Sequence, residues 1–376
     1  MKLVFLCGSL EPGRDGVGDY TRRLAGELMC QGHQTAIVAV NDAHLSEELD
    51  GSQPCGAVQI PVLRLPAGWS ERQRFSRAES WVNQFDPAWI SLQFVPYAFH
   101  SKGLPLFLGK HLQNLIKGRR VHLMFHESWL GAGVGASVKR RLISALQKTV
   151  VGNILVSLQP TVLHTHLPTY RTQIEALGWQ TRNLLLFSNI PLTEAAVSEA
   201  DTGIFRVGIF SQADSSVPLV EFLAQLAEQI VRQGRQFQVM LIGGDAAKMR
   251  QLGATLEEVP SLQNRICYTG FLESHQLSEV LRTCSLGLTP VPRHALGKSG
   301  SVAAFLEHGI PVAAPNVHPE YEAADIGFFT PNLRAAILLD PDIQRFKTAQ
   351  ASARLAQGAI HISSVAQTFV EDLTCQ

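Results

Sequence analysis

Four glycines, at positions 8, 13, 16 and 18, lie between an apolar run (Leu3 to Cys7) and an amphipathic helical pattern that begins near Tyr20. Strand, glycine-rich loop and helix start in that order form an anion-binding layout. Free backbone N–H groups and the positive end of the helix dipole point at whatever sits before the loop, and phosphate suits them best. Such turns also serve tight packing alone. Tyr20, Leu24, Ala25 and Leu28 recur on one helical face, Asp19 is the expected N-cap, and Gly32 ends the helix. A dinucleotide fingerprint needs G-x-G-x-x-G tight against the strand. After Gly16 and Gly18 the third position is Thr21, and the loop is several residues too long. Asp42 keeps a ribose contact open, so a nicotinamide-dependent oxidoreductase is weakened rather than removed. No GK[ST] follows the glycines.

A second constellation lies in PVPRHALGKSGSVAAFLEHGIPVAAP, residues 290 to 315. A strand gives way to a loop carrying Arg293, His294 and Lys298, and Ser299 or Ser301 caps a helix that Gly309 ends. Two cations and a helix N-terminus converge there, a second phosphate site at which Lys298 could neutralise a departing diphosphate. Gly300, Ala303 and Ala304 leave room for a ligand or for the sheet. Plain packing with a solvated lysine is the alternative. Upstream, Gly270 in YTGFL offers backbone groups to a flat ring, beside Phe271 and Leu272. The strand-like Val121 to His126 runs straight into Glu127, which puts His126 and Glu127 where a parallel sheet opens onto its ligand crevice. A histidine there also serves as a structural hydrogen-bonding group. His164 and His166 alternate on a strand-like run, but with no cysteine nearby and no third ligand at useful spacing, a metal is not expected.

These residues need a scaffold, and 376 residues at 45% hydrophobic suffice for two cores. Continuous apolar runs such as TAIVAV alternate with helical periodicity, which predicts doubly wound parallel sheets. Strands are expected near 3–8, 35–40, 58–64, 89–94, 121–126, 161–164 and 183–187, then at 205–210, 238–243, 265–270, 286–291 and 310–314. The expected division is a Rossmann-like domain over 1–190, a linker over 191–203, a second such domain over 204–360, and a C-terminal helix over 361–376 that returns to the first domain. Zero net charge argues against nucleic acid as partner. Six scattered cysteines without CxxC spacing read as reduced thiols of a cytoplasmic protein. No apolar stretch is long enough to cross a membrane.

Taken together, PGRDGVGDYTRRLAGEL..QGH, FHE at 125–127, LFSNIP at 186–191, YTGFLESHQLSEVLRTCSLGLTPV at 268–291 and GKSGSVAAFLEHGIPVAAP at 297–315 resemble glycosyltransferases of the GT-B fold, close to family 4. The resemblance implies two Rossmann-like domains facing a cleft, with a UDP- or GDP-linked sugar donor held by the second. A saccharide, lipid-linked or small-molecule acceptor is held by the first, with retention of configuration and no cofactor or metal. It also implies that Gly16 and Gly18 approach the diphosphate or acceptor, that His126 faces the sugar, and that Phe271 and Leu272 border the base. The family's two glutamates fall at Leu296 and Ala304, so the carboxylate pair is absent. Glu307, the only acid on that helix, lies eight residues past Ser299, roughly 12 Å along the axis. The usual Arg and Lys after the first strand of the second domain are replaced by Ser211, Gln212 and Ser215, which leaves Arg293, Lys298, Ser299, Gly300 and Ser301 to hold the diphosphate. Were the reaction inverting, Asp19, His126 and Glu127 are the candidates for general base. The basic clusters Lys117, Arg119, Arg120 and Lys139, Arg140, Arg141 suit a peripheral contact with anionic lipid or are solvated faces. A non-catalytic nucleotide-sugar-binding or partner protein of the same fold is the main alternative.

Overall fold

The computed structural model describes residues 1–129, 137–193, 203–322 and 324–375. The chain forms two compact units, Met1–Leu184 with Ala366–Gln376, and Leu185–Val365. Of the expected linker, residues 194–202 lie outside the described residues.

The first unit is built on eight strands: β1 (Lys2–Cys7), β2 (Gln34–Asp42), β3 (Leu49–Cys55), β4 (Val58–Pro66), β5 (Trp89–Phe94), β6 (Arg120–Phe125), β7 (Val162–Thr165) and β8 (Arg182–Asn183), in the order β3-β4-β2-β1-β5-β6-β7-β8. Every pairing is parallel except β3 with β4. All six residues of β5 are buried, as a strand covered on both faces requires. Chain direction along the sheet reverses between β1 and β5, which makes their carboxyl ends the switch point where doubly wound sheets bind ligands.

One strand is unexpected and one expected strand is absent, each for an identifiable reason. The segment Leu49–Cys55, LDGSQPC, carries no apolar pattern, yet it pairs antiparallel with β4 from Leu49↔Arg64 to Cys55↔Val58. It is an edge strand held by the hairpin turn at Gly56 (φ +58°), so backbone pairing, not burial, defines it. The apolar run LLLF at 184–187, expected as a buried strand, is not one. Only Arg182–Asn183 pair with β7, and the chain enters the second unit at Leu185.

The second unit has six strands, β9 (Ile204–Phe210), β10 (Gln236–Ile242), β11 (Ile266–Gly270), β12 (Leu286–Leu288), β13 (Val312–Ala313) and β14 (Ile337–Leu338), in the order β11-β10-β9-β12-β13-β14 and all parallel. Its switch point lies between β9 and β12. Gly287 of β12 is required by packing, because a Cβ there would stand 2.4 Å from the ring of Phe305. That contact seats the helix Gly300–Glu307 against the sheet.

Candidate active site

In the first unit the helix begins at Gly16, about one turn earlier than a cap at Asp19 would place it: Asp15 (φ −130°, ψ 112°), not Asp19, is the N-cap, and its carboxylate accepts from Gly18 N at 2.6 Å. Asp19 instead accepts from Gly13 N at 3.1 Å and pairs with Arg22. Gly16 and Gly18 therefore lie in the first helical turn, and Gly18 is needed for fit, since a Cβ would meet Ser9 O at 2.6 Å. The loop expected to cradle phosphate is closed by the chain's own carboxylates. Burial raises the Asp15 carboxyl above its usual range, and Asp19 and Asp42 add to that. A diphosphate brought here would meet like charge.

Asp42 is also committed. It is fully buried and accepts from Leu10 N at 3.1 Å and from Arg64 Nε at 2.8 Å. Burial would raise its carboxyl, but the Arg64 guanidinium and the amides of His44 and Leu10 hold it below the usual carboxylate range. The ribose contact of a dehydrogenase has no carboxylate to make it.

His126 and Glu127 follow β6 as expected, Glu127 half-buried with its N–H on Phe94 O at 3.4 Å. His126 is buried, and both of its ring nitrogens are engaged: Nε2 with Gln93 Oε1 at 2.8 Å and Nδ1 with His166 Nε2 at 3.2 Å. Neither ring nitrogen is open to an acceptor hydroxyl, so His126 is not placed as a general base, and Asp19, paired with Arg22, is not either. The ring of Tyr20 packs edge-on against His126 and His166. His122 and His164 form a second hydrogen-bonded pair at 3.0 Å. The four imidazoles bond to one another rather than converging on a point, and among the described residues no three His, Cys, Asp or Glu side chains could together hold a metal ion.

The second unit offers a different helix start. Ser299 (φ −88°, ψ 114°) caps Gly300–Glu307 with its hydroxyl on Val302 N at 3.4 Å and lies 3.1 Å from Ser301 Oγ. The N–H groups of Gly300 and Ser301 precede the first intrahelical donor, Ala303 N, which bonds to Ser299 O at 2.9 Å. Gly300 is exposed, and a Cβ there would meet nothing within 4 Å, so packing does not demand a glycine. Lys298, the residue before the cap, lowers the His294 imidazole together with burial and His318. The cap is neutral and the adjoining charge is positive, the reverse of the first unit.

Arg293 is placed otherwise than expected. Its Nε donates to Ala314 O at 2.9 Å and one terminal nitrogen to Leu339 O at 2.8 Å, which ties the ends of β13 and β14 to the loop. It holds the platform on which Lys298 stands. Gly270 (φ +67°) ends β11, and Phe271 beside it is 85% exposed, with Leu272 half-buried. A large ring left in solvent at the carboxyl edge of a parallel sheet suits stacking on a base. At the end of β9, Ser211 takes φ +69°, and Gly244 allows its neighbour's approach, since a Cβ would lie 2.7 Å from Ser211 O.

Three features escaped the sequence. Asp214, Ser216 and Asn316 knit the loops after β9 and β13 together, with Ser216 Oγ 3.0 Å and Asp214 Oδ2 3.4 Å from the Asn316 amide. His294 stacks on Tyr321 at 3.7 Å, nearly coplanar, with His318 edge-on. Glu307, almost fully buried, accepts from Ser188 N at 2.9 Å and so fixes the segment that enters the unit. Each joins residues tens to more than a hundred positions apart.

No protein-family model matches the chain, and no curated protein matches it in sequence. Solved structures do match over its whole length. HepE of Anabaena, solved with UDP and glucose, superposes with a TM-score of 0.62 at 16% identity, covering 100% of both chains. The lipopolysaccharide outer core galactosyltransferase WaaB gives 0.59 at 12%, covering 100% of this chain and 99% of the other, and the sucrose-phosphate synthase of Thermosynechococcus elongatus gives 0.61 at 16%, covering 99% and 98%. The chain has the GT-B fold. Leu296 and Ala304, where counting back from Gly309 puts the missing glutamates of the resemblance, are both buried in the second unit's core.

His294 supplies a test of this packing. Burial first, then His318 and Lys298, push its imidazole down to about 4, below the ~6.5 of an exposed histidine. The unfolded chain therefore binds the proton more tightly, and folding loses stability as pH falls from about 6.5 towards 4. Replacing His294 with Phe keeps the stack on Tyr321 and removes this sensitivity. Thermal midpoints of the two proteins should diverge in favour of His294→Phe as pH drops from 7 to 4.5, and a constant difference would contradict the placement.

Proposed function

We propose that this protein is a glycosyltransferase that moves a sugar from a nucleoside-diphosphate donor, UDP-linked by analogy with the ligands of HepE, to a hydroxyl acceptor. The observation that carries this reading is the neutral-capped, lysine-flanked helix start at Lys298–Ser301, at the switch point of the second unit. Lys298 and the N–H groups of Gly300 and Ser301 take the diphosphate as the glycosidic bond breaks and its charge grows, which is where fixed positive charge accelerates the step. Phe271, Leu272 and Gly270 border the base. The carboxylates of the first unit suit an acceptor's hydroxyls rather than a phosphate. With two of the three candidate bases, Asp19 and His126, already engaged, retention is favoured over inversion. A non-catalytic binding protein would keep the same grip, so transfer itself must be measured.

Lys298→Ala should lower kcat with UDP-sugars by about 10²–10³-fold, the usual loss for one stabilising group at a developing anion. UDP should raise the thermal midpoint of the wild type, and less so that of the variant. A normal rate in Lys298→Ala sinks the assignment, and stabilisation by UDP without transfer to any acceptor sets the non-catalytic reading in its place.

We also infer that the acceptor is presented at an anionic membrane surface. Of the two basic clusters, Arg119 is spent on Asn83 Oδ1 and Leu115 O, and Arg120 lies over the ring of Trp89. Lys139, Arg140 and Arg141 are exposed at the start of the helix Val138–Leu158, beside Val138, Leu142 and Leu146, which are exposed at successive i, i+4 positions. Cations next to an uncovered apolar stripe fit an anionic lipid interface. The described residues contain no helix long and apolar enough to cross one. Vesicles containing anionic lipid should sediment the wild type at low salt and release it at high salt, with Leu142→Asp binding weakly. Equal capture by neutral vesicles would contradict the inference.

A further inference from the structure

The histidine pairs of the first unit belong to one hydrogen-bonded chain. From Leu184 O it runs to His166 Nδ1 (2.8 Å), from His166 Nε2 to His126 Nδ1 (3.2 Å), from His126 Nε2 to Gln93 Oε1 (2.8 Å) and from Gln93 Nε2 to Ser91 Oγ (2.7 Å). It continues from Ser91 Oγ to His122 Nδ1 (2.7 Å), from His122 Nε2 to His164 Nδ1 (3.0 Å) and from His164 Nε2 to Asp372 Oδ2 (2.9 Å). Ser91, His122 and His164 are fully buried. The ring of Phe369 stands edge-on to His122 and also covers His164, and Arg182 pairs with the other oxygen of Asp372.

Both ends of this chain can only accept. Asp372 requires a proton on His164 Nε2; a neutral His164 then accepts at Nδ1 from His122 Nε2–H. His122 Nδ1 accepts from Ser91, Ser91 accepts from Gln93 N–H, and Gln93 Oε1 accepts from His126 Nε2–H. From the other end, the carbonyl of Leu184 requires the proton of His166 on Nδ1. Two bare nitrogens, His126 Nδ1 and His166 Nε2, are left facing each other at the longest contact in the chain. Seven bonds need seven protons, and four neutral imidazoles, one hydroxyl and one amide N–H supply six.

We propose that the His126–His166 contact binds this seventh proton, and that Asp372, seven hydrogen bonds from the Leu184 end, is the positioning residue that fixes His126 as its Nε2–H tautomer. The proton resides on His166, whose Nδ1–H goes to Leu184 O and whose Nε2–H goes to His126 Nδ1. Burial, and then the charge on His166, hold His126 well below the usual histidine range, so His126 stays neutral beside it. Gln93, the Leu184 carbonyl and the Tyr20 ring face the pair, and Gln93 Oε1 and the Leu184 carbonyl both accept. The Gln93 amide is the gate. With its oxygen towards His126 the charge sits on His166; turned round, it donates to His126 Nε2 and His126 donates from Nδ1 to His166, but Ser91 must then donate to Gln93 and His122 to Ser91, so the seventh proton passes to His164, whose imidazole burial holds below the usual histidine range. Only the effect on turnover rests on the transferase reading, through His126; the proton count does not.

Two variants allow the turn. Asp372→Asn can donate to His164, which reverses every bond as far as His126. Ser91→Ala cuts the chain and leaves Gln93 at liberty to donate to His126, without touching the charged end. Two-bond ¹H–¹⁵N correlation spectra of histidine-labelled protein at pH 6.5 should show, in the wild type, His126 protonated at Nε2 and His166 at both nitrogens. In each variant His126 should be protonated at Nδ1 and bare at Nε2, and His166 should be singly protonated. A His126 tautomer identical in wild type and in folded Ser91→Ala overturns the proposal, whether or not Asp372→Asn folds. So does a wild-type His166 with one proton.

Discussion

A helix start holds one anion, and what caps it decides whether the anion comes from the chain or from outside. In the first unit Asp15 sits on Gly18 N and Asp19 on Gly13 N, so the partial positive charge of the helix is answered internally. In the second unit Ser299 gives the same geometric cap without charge, and Lys298 stands beside it. The two sheets are built alike, with parallel strands opening their loops at one edge and a switch point beside a central strand. The proposed division of donor and acceptor between them follows from a carboxylate in one cap and a hydroxyl in the other.

Much of the scaffold was legible because fully buried parallel strands leave unbroken apolar runs, as WISLQF does in β5 and TAIVAV does in β2. What failed had no such mark. LDGSQPC is a strand only through its partner's backbone, and LLLF is apolar because it is packed, without pairing along a strand. The helix start at Lys298, Ser299 and Gly300 was readable because loop, cap and helix are contiguous. The roles of Arg293, Asp42 and Glu307 were not, because each depends on a partner from a distant segment: Leu339, Arg64 and Ser188. The wrong N-cap has a local cause. Asp15 and Asp19 are four residues apart, and either could begin the periodicity; only the extended backbone at Asp15 separates them.

The histidines show how a correct position can mislead about role. His126 stands at the carboxyl end of β6, where a ligand-facing residue belongs, yet its nitrogens turn inward to Gln93 and His166. Its influence on any ligand is therefore through charge and tautomer, set by groups as far along the chain as Asp372. Buried polar networks are costly unless every member is satisfied, and here full satisfaction needs a proton that the neutral residues lack.

Backbone amide exchange, with and without UDP, separates the two helix starts directly. Bound UDP should slow exchange at residues 300–302 and 270–272 and leave residues 13–18 unchanged. Protection confined to residues 13–18 would place the diphosphate at the acidic start and contradict the assignment of the donor grip to Lys298 and Ser299.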